Sequence, residues 1–509
     1  MAILHGDPGL RSEAADGQTD EVDFVDRRQS GRTEPIAISM ARHTGGTMTL
    51  SARLVALLYA REASGLPSEI LAKARLHVAD TIAVAHAAAS GLTIADEIMR
   101  SLQAGGSTGD CRVIGRAQTL PPAMAAFANC AFMHAIDFDD IHDATGIHPT
   151  PPTLAAALVA ADLVPERTAK TWAAVSLGNE LMCRLGSVCS PRGPGRASSW
   201  FLSQLLGYFG AVVSASVVLG LSEDQCVSAI GLAYQQAAGG KESAFGTGST
   251  ARSIYPGFAA MGAIQACLLA RAGVAGPRSA LDGVAGLFRI YFDQDPGQSE
   301  LADLLDFDGW VWQDTAIKPW PSCRDSHAHI AAALDVASKL RGLQIDRIVV
   351  SISPGVASLC TPPKERRRPP TIQDAKFSIP FMTAFALAYG TVTLATLNER
   401  AFEDPVVLDL AKRVEVIEEL TDSPGHISAK VAVTTHSETF AGACAQLPKP
   451  SRPEVHAKFL NCLEYAGLAG DHSRRLWDGL IGGDTRALSA ALSVAEGRRH
   501  EPRALPAAG

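Results

Sequence analysis

The chain has 509 residues, of which 47% are hydrophobic and only 19% are charged, so a large buried core is available and disorder throughout is excluded. The formal net charge of −8 argues against a nucleic-acid partner, because a phosphate backbone binds a basic face. The one basic cluster, residues 366–368, is short, and we interpret it as part of a solvated loop.

Ten cysteines are spread along the chain, and no two of them form a Cys-x-x-Cys pair. This usage is typical of reduced, buried thiols, so we predict no disulfide framework and no zinc site. Residues 1–46 contain no apolar segment of signal-peptide length and are rich in polar residues. We therefore predict a flexible N-terminal extension and a cytoplasmic location.

The part from about residue 48 to 322 is predicted to be almost entirely helical, because apolar residues recur at helical spacing between turn residues. Residues 112–114 alone have the pattern of a short strand in this part. Residues 205–221 are strongly apolar but short for a membrane span, so we predict a buried core helix and no membrane association. Two predicted helices come first, and the second of them ends at Gly91. The further candidate helices are 94–104, 121–135, 151–163, 168–186, 203–220, 222–237 and 256–272.

After Lys318 the pattern changes, because β-branched runs alternate with helical ones. Strands are expected at 345–352, 414–417, 427–434 and 439–440, and helices near 326–340 and 372–389. Helical patterns return at 452–466, 473–480 and 485–495. We therefore predict a mainly α fold in which a large all-helical domain (47–322 and 452–500) is interrupted by a smaller α+β lid domain (323–451) inserted before the C-terminal helices. No Gly-rich nucleotide-binding motif is present, so we expect no cofactor.

The densest polar cluster is residues 134–148, which hold three histidines and four aspartates between two apolar helices. So many ionisable groups are costly to bury, and carboxylates this close together raise one another's pKa and that of a nearby imidazole. Such a shift favours proton transfer near neutral pH, so the cluster is a candidate for general acid/base catalysis. A metal site, or a solvated loop with N-cap aspartates, would explain the same residues.

Two further polar segments stand out. Residues 318–327 lie at the junction of the helical and α+β parts, where pockets often form, and Lys318 beside a proline-rich turn suits a carboxylate clamp. A simple helix N-cap at Asp325 or Ser326 is the alternative there. Residues 249–257 contain Arg252 just before a helix, which by itself is a weak signal because such arginines usually face solvent.

Taken in chain order, these segments resemble the MmgE/PrpD family. The motifs that carry the resemblance are Asp-Phe-Asp-Asp at 137–140, His-Pro at 148–149, Pro-Gly at 256–257 and Lys-x-x-Pro-x-Cys-x-x-x-His at 318–327. Residues 80–81, 178–184 and 375–380 fit the same pattern, so the resemblance runs from about residue 50 to 495. It implies a large helical domain with an α+β lid, a homodimer, and a cofactor-free site between the domains where small carboxylic acids lose a group or are isomerised.

The resemblance also implies roles for individual residues. Asp137, His148 and Lys318 match polar residues of the family's pocket, and Tyr255 is a fourth candidate for acid/base work. Arg252 stands where the family usually has lysine, and a guanidinium can still bind a carboxylate through two parallel hydrogen bonds. Cys323 and His327 are expected to contact the substrate.

This chain departs from the family pattern at several pocket positions. Tyr255 replaces a common histidine, and Phe201 begins a Phe-Leu-Ser segment where a His-Pro-Thr segment is expected. Ile141 and Phe381 stand where threonine and tyrosine are frequent, and Cys323 where some decarboxylases have histidine. Fewer polar partners would leave some carboxylates of a tricarboxylate unpaired, at a cost of several kcal/mol. We therefore expect a substrate with fewer charges and more apolar surface.

Three kinds of function remain open from the sequence. The first is a cofactor-independent lyase, a dehydratase or decarboxylase, in which Arg252 and Lys318 bind carboxylate oxygens. The second is an isomerase or epimerase that uses the same site. The third is a catalytically degenerate binding protein, motivated by the lost polar positions. Metal-dependent hydrolysis is less favoured, because the ligands crowd into one loop and lack a helical i, i+4 histidine pair.

Overall fold

The computed structural model describes residues 48–104, 106, 108–189, 199–244, 248–293, 295–340, 342–398, 400–422 and 427–493. The predicted flexible extension (1–46) and the end of the second helical segment (494–500) lie outside these residues. Within the described ranges the fold is mainly α, as the sequence predicts.

The first part of the chain is a stack of helices with two small strand pairs. Its helices are α1 (Leu50–Ser64), α2 (Ser68–Gly91), α3 (Thr93–Gln103), α4 (Pro122–His134), α5 (Thr150–Leu163), α6 (Thr171–Cys189), α7 (Leu202–Leu205), α8 (Gly207–Leu219), α9 (Glu223–Tyr234), α10 (Pro256–Arg271), α11 (Leu287–Phe292) and α12 (Gln298–Leu305). Its strands are β1 (Cys111–Arg112), β2 (Thr119–Leu120), β3 (Ile141–His142) and β4 (Thr315–Ala316), which pair antiparallel as β1–β2 and β3–β4.

Helix α8 lies at the centre of this stack, between α5, α6 and α10. The segment Leu202–Leu219 is long and apolar enough to span a membrane, yet all of it is buried inside the fold. Small residues permit this packing: a Cβ on Gly178 of α6 would lie 2.5 Å from the carbonyl oxygen of Gly210 in α8. The two backbones therefore approach more closely than any larger side chain would allow.

A four-stranded sheet with helices on it follows the junction at residue 318. The strands are β5 (Ile345–Ile352), β6 (Val414–Glu418), β7 (Ala429–Thr435) and β8 (Thr439–Cys444), in the order β6-β5-β7-β8 with only β5 and β6 parallel. Alternate residues of β7 are buried, as expected for a sheet with one face covered. The helices are α13 (His327–Ala337), α14 (Pro363–Arg367), α15 (Ile372–Lys376), α16 (Ile379–Tyr389) and α17 (Pro405–Lys412).

The C-terminal helices return to the first part of the chain, where α18 (Arg452–Tyr465) and α19 (Asp471–Gly482) pack against α2, and α20 (Thr485–Ala491) packs against α19. The buried apolar residues form two main clusters. One joins residues 50–317 with 455–492, and the other joins residues 323–433. The site described below lies where the two clusters meet.

Several local expectations differ from the structure. The helix expected at 372–389 is two helices, because the Ser378 hydroxyl accepts a hydrogen bond from the Phe381 N–H and starts a new helix. The helix expected at 203–220 is interrupted at Leu206. The strand predicted at 112–114 is only Cys111–Arg112, and its partner β2 was not predicted because two-residue strands leave no periodic signal. Strands β3 and β4 and helices α11, α12, α14 and α17 were also missed. The interpretation of residues 366–368 as part of a solvated loop is wrong for Arg366, which is buried in α14 and donates to the Thr361 and Phe377 carbonyl oxygens.

Candidate active site

Strands β3 and β4 bring together two polar motifs that lie far apart in the sequence. Ile141 pairs with Ala316 and His142 with Thr315, so the Asp-rich loop before β3 lies beside the residues that follow β4. The ammonium of Lys318 is 2.6 Å from the Asp137 Oδ1 and 3.1 Å from its carbonyl oxygen. Lys318 is fully buried and Asp137 is nearly so, so this ion pair is shielded from solvent.

Three lysines from distant segments hold the loop that carries Asp137. Each donates to one of three consecutive backbone carbonyl groups, and each is buried. Asp137 has a φ of 55°, a left-handed conformation that is rare for residues other than glycine and is often found at functional sites. The bonds are Lys376 Nζ to the Ile136 oxygen (3.1 Å), Lys318 Nζ to the Asp137 oxygen (3.1 Å) and Lys458 Nζ to the Phe138 oxygen (2.7 Å).

The three aspartates of the loop point to three different partners. Besides the Asp137 pair, the Asp139 Oδ2 lies 2.9 Å from the His134 Nδ1 and 3.0 Å from the His148 Nδ1. Asp140 accepts hydrogen bonds from the His77 Nδ1 and from the hydroxyl of Thr150, the first residue of α5. Asp140 therefore anchors the helix that directly follows His148.

The expectation that these carboxylates raise one another's pKa is wrong for Asp139. Burial alone would raise the pKa of Asp139, but the charges and hydrogen bonds of His134 and His148 together hold it well below its usual range. The other two ionisable groups of the cluster point away from the site. His142 binds the Thr145 hydroxyl and the Val311 carbonyl group, and Asp143 forms a two-point ion pair with Arg324.

A group of aromatic rings surrounds His148. The His134 ring lies edge-on to His148 and to Tyr255, with 4.9 Å between centroids in each pair. Tyr255 stacks on Phe201 with centroids 4.2 Å apart, and the backbone N–H of His148 donates to the Ser203 hydroxyl. Burial raises the pKa of Tyr255, and a hydrogen bond with Ser203 offsets part of that effect. The Tyr255 hydroxyl therefore keeps its proton at neutral pH.

Arg252 lies in a short 3-10 helix (Thr250–Ser253) before α10 and is partly exposed. Its guanidinium stacks on the Phe377 ring, 3.3 Å from the centroid, and donates to the Ala244 carbonyl oxygen. Within the described part of the chain it forms no ion pair with a carboxylate. This arrangement leaves N–H groups of a held guanidinium available to an acidic ligand.

Two charged residues near Arg252 were not predicted as site residues. Lys241 is partly buried, and burial, followed by the charge of Arg252, lowers its pKa. Burial raises the pKa of Asp325, although Lys241, Arg252 and Lys318 act in the opposite direction. Asp325 has no ion-pair partner among the residues that the structure describes. Neither residue has a sequence signal that distinguishes it from an ordinary surface or N-cap residue.

The remaining predicted contacts are less accessible. Cys323 is 9% exposed, and burial raises its pKa to about 12, so its thiol stays protonated. Ile141 is buried in β3. Phe381 is fully buried against Phe385 in the second apolar cluster, and His327 is fully buried with its Nε2 on the Ser322 carbonyl oxygen. Phe381 and His327 therefore do not line an open cleft in this structure, because the helices that carry them, α16 and α13, pack against each other.

Ligating atoms of His134, Asp137, Asp139 and His148 lie within 4.8 Å of one another, a spacing that a divalent cation could bridge. The donors are, however, already engaged with one another. The Asp137 carboxylate binds the Lys318 ammonium, which would repel a cation, and Asp139 is shared by two imidazoles. We therefore interpret the four residues as a proton-carrying network and not as metal ligands.

A cavity of about 940 Å³ lies on another side of Lys318, which lines it together with Phe138 and Trp320. Its other walls come from the turn between α2 and α3, from the segment around residues 392–400 and from α18. None of His148, Tyr255 and Arg252 lines this cavity. The candidate site is therefore located by its titratable groups and not by this cavity.

The structure adds His134, Asp139, Lys376 and Lys458 to the residues named from the sequence. His134 and Asp139 lie within the polar cluster, but spacing alone could not show that they share one contact with His148. Lys376 lies in the 375–380 stretch that resembles the family, and Lys458 pairs with Asp80 of another such stretch. Sequence order could not show that these lysines hold the Asp137 loop.

Comparison with known proteins identifies the family of this chain. Residues 52–299 match the MmgE/PrpD N-terminal domain and residues 320–476 the MmgE/PrpD C-terminal domain. A cis-aconitate decarboxylase-like protein of Aspergillus oryzae is 27% identical over 423 residues, which are 77% of this chain and 85% of that protein. The cis-aconitate decarboxylase of Aspergillus terreus is 26% identical over 69% of this chain and 74% of its own length. That of Mus musculus is 29% identical over 60% of this chain and 62% of its own length.

Proposed function

Because the chain belongs to the MmgE/PrpD family, we propose that it is a lyase that removes water or carbon dioxide from a small carboxylic acid. One observation carries the proposal. The Arg252 guanidinium forms no ion pair within the described residues, and it lies near the buried contact between Asp139 and His148. Tyr255 is close enough to both for the charges of Arg252 and Asp139 to act on its hydroxyl. This chemistry needs at least two groups close together: a cation that binds the carboxylate, and a group that transfers a proton.

Both routes pass through an enolate-like intermediate. In dehydration, a base takes the proton beside the carboxylate, and the electron pair of the C–H bond moves into the enolate-like system. The neighbouring C–O bond then breaks, and the hydroxyl group leaves as water after it receives a proton. In decarboxylation the C–C bond breaks, carbon dioxide leaves, and an acid protonates the remaining carbon.

We assign one of two roles to each side chain: the cations bind negative oxygens, and the other groups transfer protons. Arg252 and Lys318 stabilise the negative oxygens of the intermediate. Asp137, His148 and Tyr255 share the acid/base steps, which contribute on the order of 10²–10⁴-fold. Tyr255 acts as a proton donor, because burial keeps its hydroxyl protonated. These groups can supply the chemistry without a cofactor.

The substrate that we propose has fewer charges than a tricarboxylate. Phe201, Ala244 and Tyr255 form a small apolar cluster of their own, and Arg252 donates to the carbonyl group of one of its members. A carboxylate on Arg252 would therefore lie beside an apolar surface. An uncharged part of the substrate gains from covering that surface, whereas a further carboxylate would have to be desolvated there.

We further propose a homodimer in the cytoplasm, on the basis of family membership alone. Light scattering of the purified protein tests the oligomeric state directly, since a dimer has twice the mass of the 53.4 kDa chain.

The experiment incubates the purified protein in D₂O with cis-aconitate, citraconate and itaconate in separate reactions, followed by proton NMR and by carbon dioxide detection. Loss of carbon dioxide identifies a decarboxylase, and gain or loss of water identifies a hydro-lyase. Deuterium in the recovered acid without either change identifies the isomerase alternative. Binding of the acids without any exchange would contradict the lyase proposal and favour a binding protein.

Two variants connect the activity to the site. His148→Gln is expected to abolish turnover, while His472→Gln, a change at an exposed histidine of α19, is its control and retains turnover. If both variants turn over at the wild-type rate, the reaction occurs elsewhere and the assignment of His148 is wrong.

A further inference from the structure

One carboxylate in the site contacts two imidazoles. The Asp139 side chain is fully buried, and its Oδ2 lies 2.9 Å from the His134 Nδ1 and 3.0 Å from the His148 Nδ1. Its other oxygen, Oδ1, has no hydrogen-bond partner among the residues that the structure describes. The two imidazoles are therefore the groups that compensate a buried carboxylate, which must otherwise carry a large desolvation cost.

Asp139 keeps its negative charge in the folded protein. Burial acts to raise its pKa, but the two imidazoles outweigh burial and hold the pKa well below the usual range. An ionised carboxylate can only accept hydrogen bonds. Each imidazole that bonds to Oδ2 must therefore carry its proton on Nδ1, which fixes the tautomer of the ring.

We propose that Asp139 is a positioning residue that, braced by His134, holds the proton of His148 on Nδ1 and leaves Nε2 to exchange a proton with the substrate. The inference rests on the proposed function, because it presumes that His148 transfers a proton. Asp139 itself need not touch the substrate, since it acts through the orientation and tautomer of the His148 ring.

The burial of the His148 ring agrees with this orientation. Nδ1 is buried against Asp139, whereas 10% of the His148 side chain remains exposed. The other ring nitrogen, Nε2, forms no hydrogen bond within the described residues and is not among the buried atoms that lack a partner, so it remains available to a substrate. The Nδ1 of His148 is close to Oδ2 but not aligned for a straight hydrogen bond. Catalytic hydrogen bonds often become aligned only when substrate binds.

His134 fixes the position of Asp139. It lies at the end of α4, and its Nδ1 is hydrogen-bonded to the same Oδ2. Its ring also packs edge-on against His148 and Tyr255, so it contacts two of the three candidates for proton transfer. The titratable, charged and hydroxyl groups around His148 are His134 from α4, Asp137 and Asp139 from the loop, Ser203 from α7 and Tyr255 before α10.

The test uses the full chain labelled with ¹⁵N in its histidine rings, with His148→Gln to assign the His148 signals. The wild-type protein is expected to show the Nδ1–H tautomer of His148 at neutral pH. In Asp139→Asn the amide can donate to Nδ1, so the ring should change to the Nε2–H tautomer. Asp139→Glu restores a carboxylate and should retain the Nδ1–H form.

The same variants are then assayed with whichever of cis-aconitate, citraconate and itaconate turns over. Asp139→Asn should lower kcat by about 10²–10⁴-fold with a KM within about threefold of wild type, because the ring no longer presents a free Nε2. His134→Gln should lower kcat by about tenfold, since glutamine can still donate to Asp139. Glu180→Gln removes a buried carboxylate outside the site and serves as the control for a general loss of packing.

The outcomes separate the two proposals. An unchanged His148 tautomer in Asp139→Asn, or an equal loss of kcat in Glu180→Gln, overturns the positioning role of Asp139 and leaves the proposed function intact. A tautomer that changes as expected, in a protein whose turnover survives His148→Gln, supports the positioning of the ring and overturns the catalytic role of His148. A changed tautomer together with a loss confined to kcat supports both.

Discussion

Asp137 and Lys318 lie 181 positions apart in the sequence, yet the Lys318 ammonium is 2.6 Å from the Asp137 carboxylate in a buried ion pair. The same ammonium also donates to the Asp137 carbonyl oxygen, and the backbone of Asp137 has a left-handed conformation. The pair thus joins the loop before β3 to the segment that links the two apolar clusters. The contact therefore holds the Asp137 loop at the place where the two clusters meet.

Replacement of Lys318 by methionine should destabilise the protein strongly. The change leaves the Asp137 carboxylate buried without a cation, which costs about 3–5 kcal/mol in other buried pairs. Urea unfolding should show this decrease in the free energy of unfolding, and turnover should be lost because the oxygen-binding ammonium is gone.

The double variant Asp137→Asn with Lys318→Met separates stability from catalysis. It removes both charges, so the free energy of unfolding should recover most of the loss while turnover stays absent. If the double variant is as unstable as Lys318→Met alone, the uncompensated charge is not the cause of the destabilisation.

Much of the fold could be predicted from the sequence because it depends on long periodic segments. Residues 345–352 were predicted as a strand and form β5 with the same bounds, and the predicted helix 121–135 differs from α4 by one residue at each end. The pairing of β3 with β4 could not be predicted, because each strand has two residues and their register depends on tertiary packing.

The residue types of the site could be predicted from the sequence, but the contacts between those residues could not. The cluster around Asp137 and His148 was evident from its density of charge, whereas the role of Lys376 and Lys458 depends on carbonyl groups that no side-chain pattern reveals. The burial of Phe381 likewise depends on how α16 packs against α13 and α17, which alignment by position cannot show.

Arg252 should act mainly on substrate binding. Arg252→Gln removes the charge while keeping a polar side chain, so KM should rise by about 10–100-fold with a smaller change in kcat. Arg252→Lys keeps the charge but loses the planar stacking on Phe377 and the two-point geometry, and should give an intermediate KM. Steady-state kinetics with the accepted acid measure both effects.

Arg278→Gln is the matched control for Arg252, since Arg278 is an exposed arginine that pairs with exposed Asp224. Its KM should stay at the wild-type value. A similar rise of KM in both variants would mean that the overall charge of the protein, and not a specific contact at Arg252, attracts the substrate.

The Tyr255 hydroxyl and the Tyr255 ring have separable roles. Tyr255→Phe keeps the stacking on Phe201 and removes one hydrogen bond, so the free energy of unfolding should fall by only about 0.5–1.5 kcal/mol. If the hydroxyl donates a proton in the reaction, kcat should nevertheless fall by about 10²-fold or more. Phe201→Leu tests the stacking alone, and a kcat as low as that of Tyr255→Phe would assign the effect to packing.

The stability of the protein should decrease in mild acid, because buried histidines must take up protons when the chain unfolds. Burial lowers the pKa of His329 and of His77 from 6.5 to about 4. Between about pH 6.5 and pH 4 the unfolded chain binds more protons at these histidines than the folded one, so the free energy of unfolding falls as the pH falls. Asp80, whose pKa burial raises to about 6, acts in the opposite direction over part of the same range.

His329→Gln isolates one part of this pH dependence. His329 is fully buried in α13, and its Nε2 donates to the Ser351 carbonyl oxygen, a bond that a glutamine amide can replace. Each pKa unit corresponds to about 1.4 kcal/mol, so the loss between pH 7.5 and pH 4 should be smaller in the variant by up to about 3 kcal/mol. Urea unfolding of both proteins at several pH values measures this difference, in which the effect of Asp80 cancels. Parallel curves for the two proteins would show that His329 does not titrate on unfolding in this range.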